Sequence, residues 1–209
     1  MSKKHKTKKR YNRIAPVYDK FEFFMEKLAF NKWRKILWDQ VRISATNGDR
    51  LLEAGIGTGK NIPYYPEELD YTAIDFSSKM LARAKERAND YDLKINFKEM
   101  DIQELEFQNN YFDFIVTSCV FCSVPDPVLG LKELKRVLKP DGKIYMLEHV
   151  KSQRFLIGQL MELLNFIPRN IWGANINRHT EENIEKADLE IKDIENLWLN
   201  IFKLISAQK

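Results

Sequence analysis

The segment Leu51-Leu52-Glu53-Ala54-Gly55-Ile56-Gly57-Thr58-Gly59-Lys60-Asn61 constrains the fold of this chain more than any other. It reads as a buried strand running into a glycine-dense turn and then a helix start. Glycines at positions 55, 57 and 59 allow backbone to approach a ligand where a Cβ would collide. Glu53, at the carboxyl end of the strand, is placed to accept hydrogen bonds from a cationic or amino-bearing ligand. Two phosphate-binding readings fail. The dinucleotide fingerprint G-x-G-x-x-G needs a third glycine where Lys60 stands, and the phosphate loop G-x-x-x-x-G-K-[ST] has no match.

Downstream, strands and helices alternate. Residues 50–54 predict a first strand and Tyr71–Asp75 a second. Ser77 then caps a helix over Ser78–Ala88, whose Lys, Arg and Glu content favours helix. Leu93–Met100 alternates as a third strand ending at Asp101, and Phe112–Thr117 is a fourth. Asp126–Leu138 is an amphipathic helix stopped by Lys139-Pro140-Asp141-Gly142, before a fifth strand over Lys143–Val150. Beyond it come an apolar helix over Phe155–Ile167, a turn at Pro168, a helix over Thr180–Ala187, and strands at Ile191–Leu197 and Phe202–Ala207. Upstream, Phe21, Phe24, Leu28, Trp33, Leu37 and Val41 give a helical pattern from about Pro16. The alternation implies right-handed crossovers and a mostly parallel sheet covered on both faces. Ligands on such sheets bind beyond the strand carboxyl ends, where Glu53, Asp75 and Asp101 all fall.

A chain of 209 residues is expected to form one domain with its own core. Cys119 and Cys122 are too few for a disulfide framework, no apolar run is long enough to span a membrane, and no signal-peptide core follows the N-terminal charges. These features favour a cytoplasmic protein. Residues 1–13 carry seven lysines and arginines without an acid, so a net charge of +4 leaves −3 for the remainder. The expected organisation is therefore a basic disordered tail at 1–13, a helical cap at 14–48 and a main domain at 49–209. Within the main domain, 151–189 is a helical acceptor-side segment.

Leu51–Asn61, Ile74–Met80, Asp101, Phe112–Pro127 and Leu131–Tyr145 resemble, in order and spacing, the class I S-adenosylmethionine-dependent methyltransferase domain. The resemblance implies a Rossmann-like, mostly parallel seven-stranded sheet with S-adenosylmethionine as cofactor. Its site would comprise Glu53, Gly55, Gly57 and Gly59 at the methionine portion, with Ser118 nearby. Asp75 would bind the ribose hydroxyls and Asp101 the adenine amine, beside Phe76, Met80 and Ile102 at the ring. "YNRIAPVYD" at 11–19 is similar to the entry segment of quinone C-methyltransferases and bacterial phospholipid N-methyltransferases. "CSVPDP", "LEHV" and "NINRHTEENIEKADL" resemble the methyltransferase-like 7 thiol S-methyltransferases and short phospholipid enzymes, though without the hydrophobic anchor of the animal thiol enzymes. The implied acceptor is small or lipid-borne, most readily a thiol or an amine, with quinone carbon as the rival. Cofactor binding without turnover is the alternative from another class.

His149 is a candidate base, or a histidine that satisfies a strand end. Tyr18 is a candidate for orienting the acceptor, or a packing aromatic. Cys119 and Cys122 suit the acceptor pocket as small apolar residues, since C-x-x-C without a second ligand pair holds no zinc. Arg178 and His179 either contact an anionic acceptor or cap the following helix. The tail and the aromatics up to Trp38 suit an anionic membrane surface, or a solubilising tail and a buried helix; Phe155–Ile167 and Trp172 form a second such segment. An acidic body without a recognition motif argues against nucleic acid.

Overall fold

The computed structural model describes residues 7–16, 18, 29–171 and 173–209. Seven strands form one sheet: β1 (Arg50–Ala54), β2 (Asp70–Asp75), β3 (Ile95–Glu99), β4 (Phe112–Ser118), β5 (Leu138–His149), β6 (Glu190–Asn196) and β7 (Phe202–Gln208). Their order is 3-2-1-4-5-7-6. The first five run parallel, while β7 pairs antiparallel with both β5 and β6. Strand order reverses between β1 and β4, which opens a crevice beyond their carboxyl ends.

The period-two alternation of strand side chains builds a core on each face. Leu52, Ile74, Ile115, Ile144 and Met146 pack with Leu131, Leu134 and Val137 of α3 (Pro127–Val137) and with Ile184 of α6 (Thr180–Lys186). Leu51, Ala73, Val116 and Leu147 take the opposite side. There they meet Trp33, Leu37, Trp38 and Val41 of α1 (Asn31–Ser44) and Leu81 and Ala84 of α2 (Ser78–Ala88). Helix starts follow their caps: Met80 N donates to Ser77 Oγ at 3.2 Å, and Leu129 N donates to Asp126 Oδ1 at 3.0 Å, with Pro127 in the first turn.

Several expectations need correction. Residues 7–16 are helical, so the tail is ordered where 7–13 was expected to be free. Tertiary bonds offset the like charge: Lys8 pairs with Glu99, Ser77 Oγ donates to Asn12 Oδ1 at 2.6 Å, and Thr7 is buried. Lys139–Gly142 is not a free turn but a bulged part of β5, where the register jumps from Phe112↔Leu138 to Phe114↔Lys143. A Cβ at Gly142 would lie 2.9 Å from Asp113 O, so this approach needs glycine. The apolar helix ends early as α4 (Phe155–Leu164) and resumes as α5 (Phe166–Ile171). Pro168 therefore sits in a first helical turn, where its missing N–H costs little. The aromatics Phe21, Phe23 and Phe24, with Leu28 and Trp172, lie outside the described residues.

Candidate active site

Beyond the β1 and β4 ends lies a cavity of about 1010 Å³, counting the solvent at its mouth. All the cofactor positions picked from sequence except Gly59 line it, together with Tyr18 and Cys119. Strand ends supply the acids because the parallel register brings Ala54 beside Ile74 and Asp75 beside Glu99.

Asp75 is buried, and each of its oxygens already holds a backbone donor: Ser77 N to Oδ1 at 2.8 Å and Gly57 N to Oδ2 at 3.0 Å. Each oxygen keeps a further lone pair for a ligand. Burial pushes its pKa up to about 6, against those two bonds. Asp101 accepts from Gln103 N at 2.9 Å and lies beside the apolar Ile102 and Met100. The carboxylates of Asp75 and Asp101 line the cavity together with Phe76, Met80 and Ile102, a mix of acceptors and apolar surface suited to a flat ring bearing hydroxyls and an amine.

Glu53 heads a buried polar chain that sequence reasoning did not find. Asn61 Nδ2 donates to its Oε1 at 2.7 Å, and Tyr65 donates to Oε2. Arg34, from α1, donates to Asn61 Oδ1 at 2.7 Å and to Ser118 Oγ at 2.9 Å. Burial pushes Glu53 up to about 7, with Tyr65, Asn61 and Arg34 opposing. Arg34 lies in an aromatic-rich helix, and no local signal separates it from a surface arginine. The glycines divide the labour. A Cβ on Gly57 would meet no atom within 4 Å, so that position faces open cavity, whereas one on Gly59 would crowd Ala84 Cα at 3.1 Å. Gly59 thus serves close packing of the loop on α2. Gly55 meets Val120 in the same way, at 2.6 Å.

Another wall of the cavity is the loop after β4. Glu148, buried on β5, accepts from Thr117 Oγ1 at 2.8 Å, Val120 N at 3.2 Å and Phe121 N at 3.1 Å. Arg178 donates to Val124 O, Asn175 N donates to Cys122 O at 2.8 Å, and Tyr11 pairs with Ser123. Cys119 lines the cavity at a φ of 57°, while Cys122 is buried behind it, its thiol pushed up to about 11 chiefly by burial. Arg178 and His179 line a separate groove beside Lys151–Phe155, not the cavity, and His179 Nδ1 pairs with Glu182 Oε1 at 2.9 Å.

His149 does not line the cavity either. It follows Glu148 on β5 and therefore faces the other side of the sheet, edge-on to Phe202 at 4.9 Å. Its Nδ1 has no hydrogen-bond partner among the described residues, and burial pushes it down to about 4. Among the described residues no group of three metal-ligating side chains exists, and no helix is long and apolar enough to cross a membrane.

Comparison with known proteins agrees with this geometry. A family model described as a methyltransferase domain matches residues 52–146. A phosphatidylethanolamine N-methyltransferase of Cereibacter sphaeroides is 36% identical over 49% of this chain and 51% of its own length. The chain thus spans about half of that relative. A ubiquinone/menaquinone biosynthesis C-methyltransferase of Bdellovibrio bacteriovorus is 32% identical over 77% of this chain and 68% of its own. A mouse thiol S-methyltransferase, TMT1B, is 29% identical over 84% and 77%. In fold, the crystal structure of a SAM-dependent methyltransferase from Methanosarcina mazei superposes with a TM-score of 0.64 at 24% identity, over 81% of this chain and 96% of that one. With a strand order, a crevice and matched relatives that all agree, the chain belongs to the S-adenosylmethionine-dependent methyltransferases.

Proposed function

We propose that this protein transfers a methyl group from S-adenosylmethionine to a small or lipid-borne acceptor, a thiol or an amine of the phosphatidylethanolamine type. The observation that carries the reading is one cavity with Glu53, Asp75 and Asp101 at its cofactor end and Cys119, Val120 and Pro125 as its acceptor-side wall. S-adenosylmethionine, when bound, supplies a methyl group already activated as a sulfonium. The chain's own part is binding and alignment. Asp75 suits the ribose hydroxyls, Asp101 the adenine amine, and Phe76, Met80 and Ile102 the ring. Glu53 with Asn61 suits the ammonium and Arg34 the carboxylate, while Gly57 leaves the room they need. Holding an acceptor lone pair in line with the methyl contributes roughly 7–11 kcal/mol.

Tyr18 lines the cavity, with Lys60 Nζ 5.9 Å from its ring centroid, and is the residue we assign to orienting the acceptor. No proton step is assigned to His149. The phospholipid and thiol relatives favour nitrogen or sulfur as acceptor atom. Quinone carbon is the second reading, motivated by the relative from Bdellovibrio. The proposal includes a cytoplasmic protein that contacts anionic membrane through residues 3–38.

The test is release of S-adenosylhomocysteine with small thiols, phosphatidylethanolamine vesicles and demethylated quinones in parallel, beside Asp75→Ala. Turnover with thiol or amine, lost in the variant, supports the reading. Turnover with quinone alone replaces the acceptor. Binding of S-adenosylmethionine without turnover on any of the three refutes the proposed acceptor and leaves another acceptor or a binding protein without turnover.

A further inference from the structure

Helix α4 leaves most of its apolar side chains exposed. Its inward stripe is narrow: Gly158 and Met161 are buried, and Asn165, just past its end, accepts from Ile176 N at 2.9 Å. Glu162 is pinned by Lys151 at 2.8 Å and Asn177 at 2.6 Å. The outward stripe is apolar, with Leu156, Leu160 and Leu163 exposed at 77%, 54% and 70%, and Phe155, Phe166 and Ile167 exposed beside them. A run of exposed apolar side chains along one surface helix marks an interface.

Charge points to the partner. Residues 154–171 contain two arginines and a single glutamate, the one already pinned. Past α5, a Cβ on Gly173 would lie 3.3 Å from Arg10 Nη1, so the basic N-terminal helix adjoins the chain just beyond α5. Lys9 and Arg13 of that helix, one turn apart, are exposed. Tyr11 of the same helix holds Ser123 of the cavity wall, and Asn175 holds Cys122. We infer that α4, α5 and the helix at 7–16 form a platform that docks on an anionic phospholipid surface. It lies apolar side down with the basic helix at its rim, and sets the cavity's acceptor side against the lipid. The inference extends the lipid-borne reading above, yet the docking itself stands on this surface alone.

The test is sedimentation of the full-length protein with vesicles of phosphatidylcholine alone or mixed with phosphatidylglycerol. We expect binding to the mixed vesicles, weakened by salt, and weakened at least ~10-fold by combined Leu156→Gln, Leu160→Gln and Leu163→Gln. Thermal unfolding should not change, because these side chains are exposed. Lys9→Glu with Arg13→Glu should weaken binding to mixed vesicles as well. No binding by the unaltered protein, equal binding to both vesicles, or undiminished binding by the leucine variant overturns the inference. So does a dimer in sedimentation equilibrium that the leucine variant dissociates, which would give the face to a second copy. S-adenosylmethionine affinity and turnover of a soluble thiol, measured on the same preparations, separate failure of docking from failure of the catalytic reading.

Discussion

At the scale of residues, two side chains test the proposed cofactor end. Asp75 is held by two N–H groups, so its charge is aimed rather than merely present. Asp75→Asn should weaken S-adenosylmethionine binding ~10- to 150-fold, since a hydrogen bond to a charged group contributes about 1.5–3 kcal/mol; calorimetric titration checks it. Arg34→Met should lower cofactor affinity by at least ~10-fold. It should also lower the melting temperature, because Asn61 and Ser118 lose their buried donor. An unchanged affinity would remove Arg34 from the site. Asp75 was legible in the sequence because an acid ended a strand a fixed distance after the glycine turn. Arg34 was not, because its partners lie 27 and 84 residues away.

At the scale of elements, the glycine turn and the loop after β4 are one unit. Gly55 at φ 81° abuts Val120, whose N–H is held by Glu148. Gly57 at φ 58° faces open space. Gly55→Ala should therefore destabilise by at least ~2 kcal/mol, adding a clash with a branched side chain to left-handed strain. Gly57→Ala should cost only about 1 kcal/mol yet obstruct the cofactor. Melting curves and cofactor titration on both variants make the comparison; equal effects on stability would refute it. From the sequence the three glycines looked equivalent. Only the packing of α2 and of the loop after β4 gave them separate tasks.

At the scale of the whole molecule, the sheet buries three carboxylates on three of its strands. Glu53 and Glu148 are raised to about 7 and Asp75 to about 6, each chiefly by burial. A carboxylate whose folded pKa lies above its unfolded value takes up protons on folding. Its stabilisation is full below the unfolded pKa and is lost as pH rises through the folded one. His149, lowered to about 4, acts oppositely below its unfolded pKa of 6.5. Three groups against one decide the sign. The cofactor-free protein should lose stability from about pH 5 to 7. Glu53→Gln should flatten that slope and weaken cofactor binding. Melting temperatures across that range test this, and a rise with pH would contradict it.

The alternation of elements, the glycine turn, the acids at three strand ends and the family to which they point were legible before any folding, because each is a local pattern of burial period and backbone freedom. Tertiary structure alone decided which residues meet. Strand register sent Glu148 to the cavity wall and turned its neighbour His149 onto Phe202, because successive residues of a strand face opposite sides. Helix placement brought Arg34 to Glu53's network, drew the charged residues 7–13 into a helix against the cavity, and left the apolar stripe of α4 outward. Those outcomes depend on contacts between residues far apart in the chain, which a local pattern does not encode.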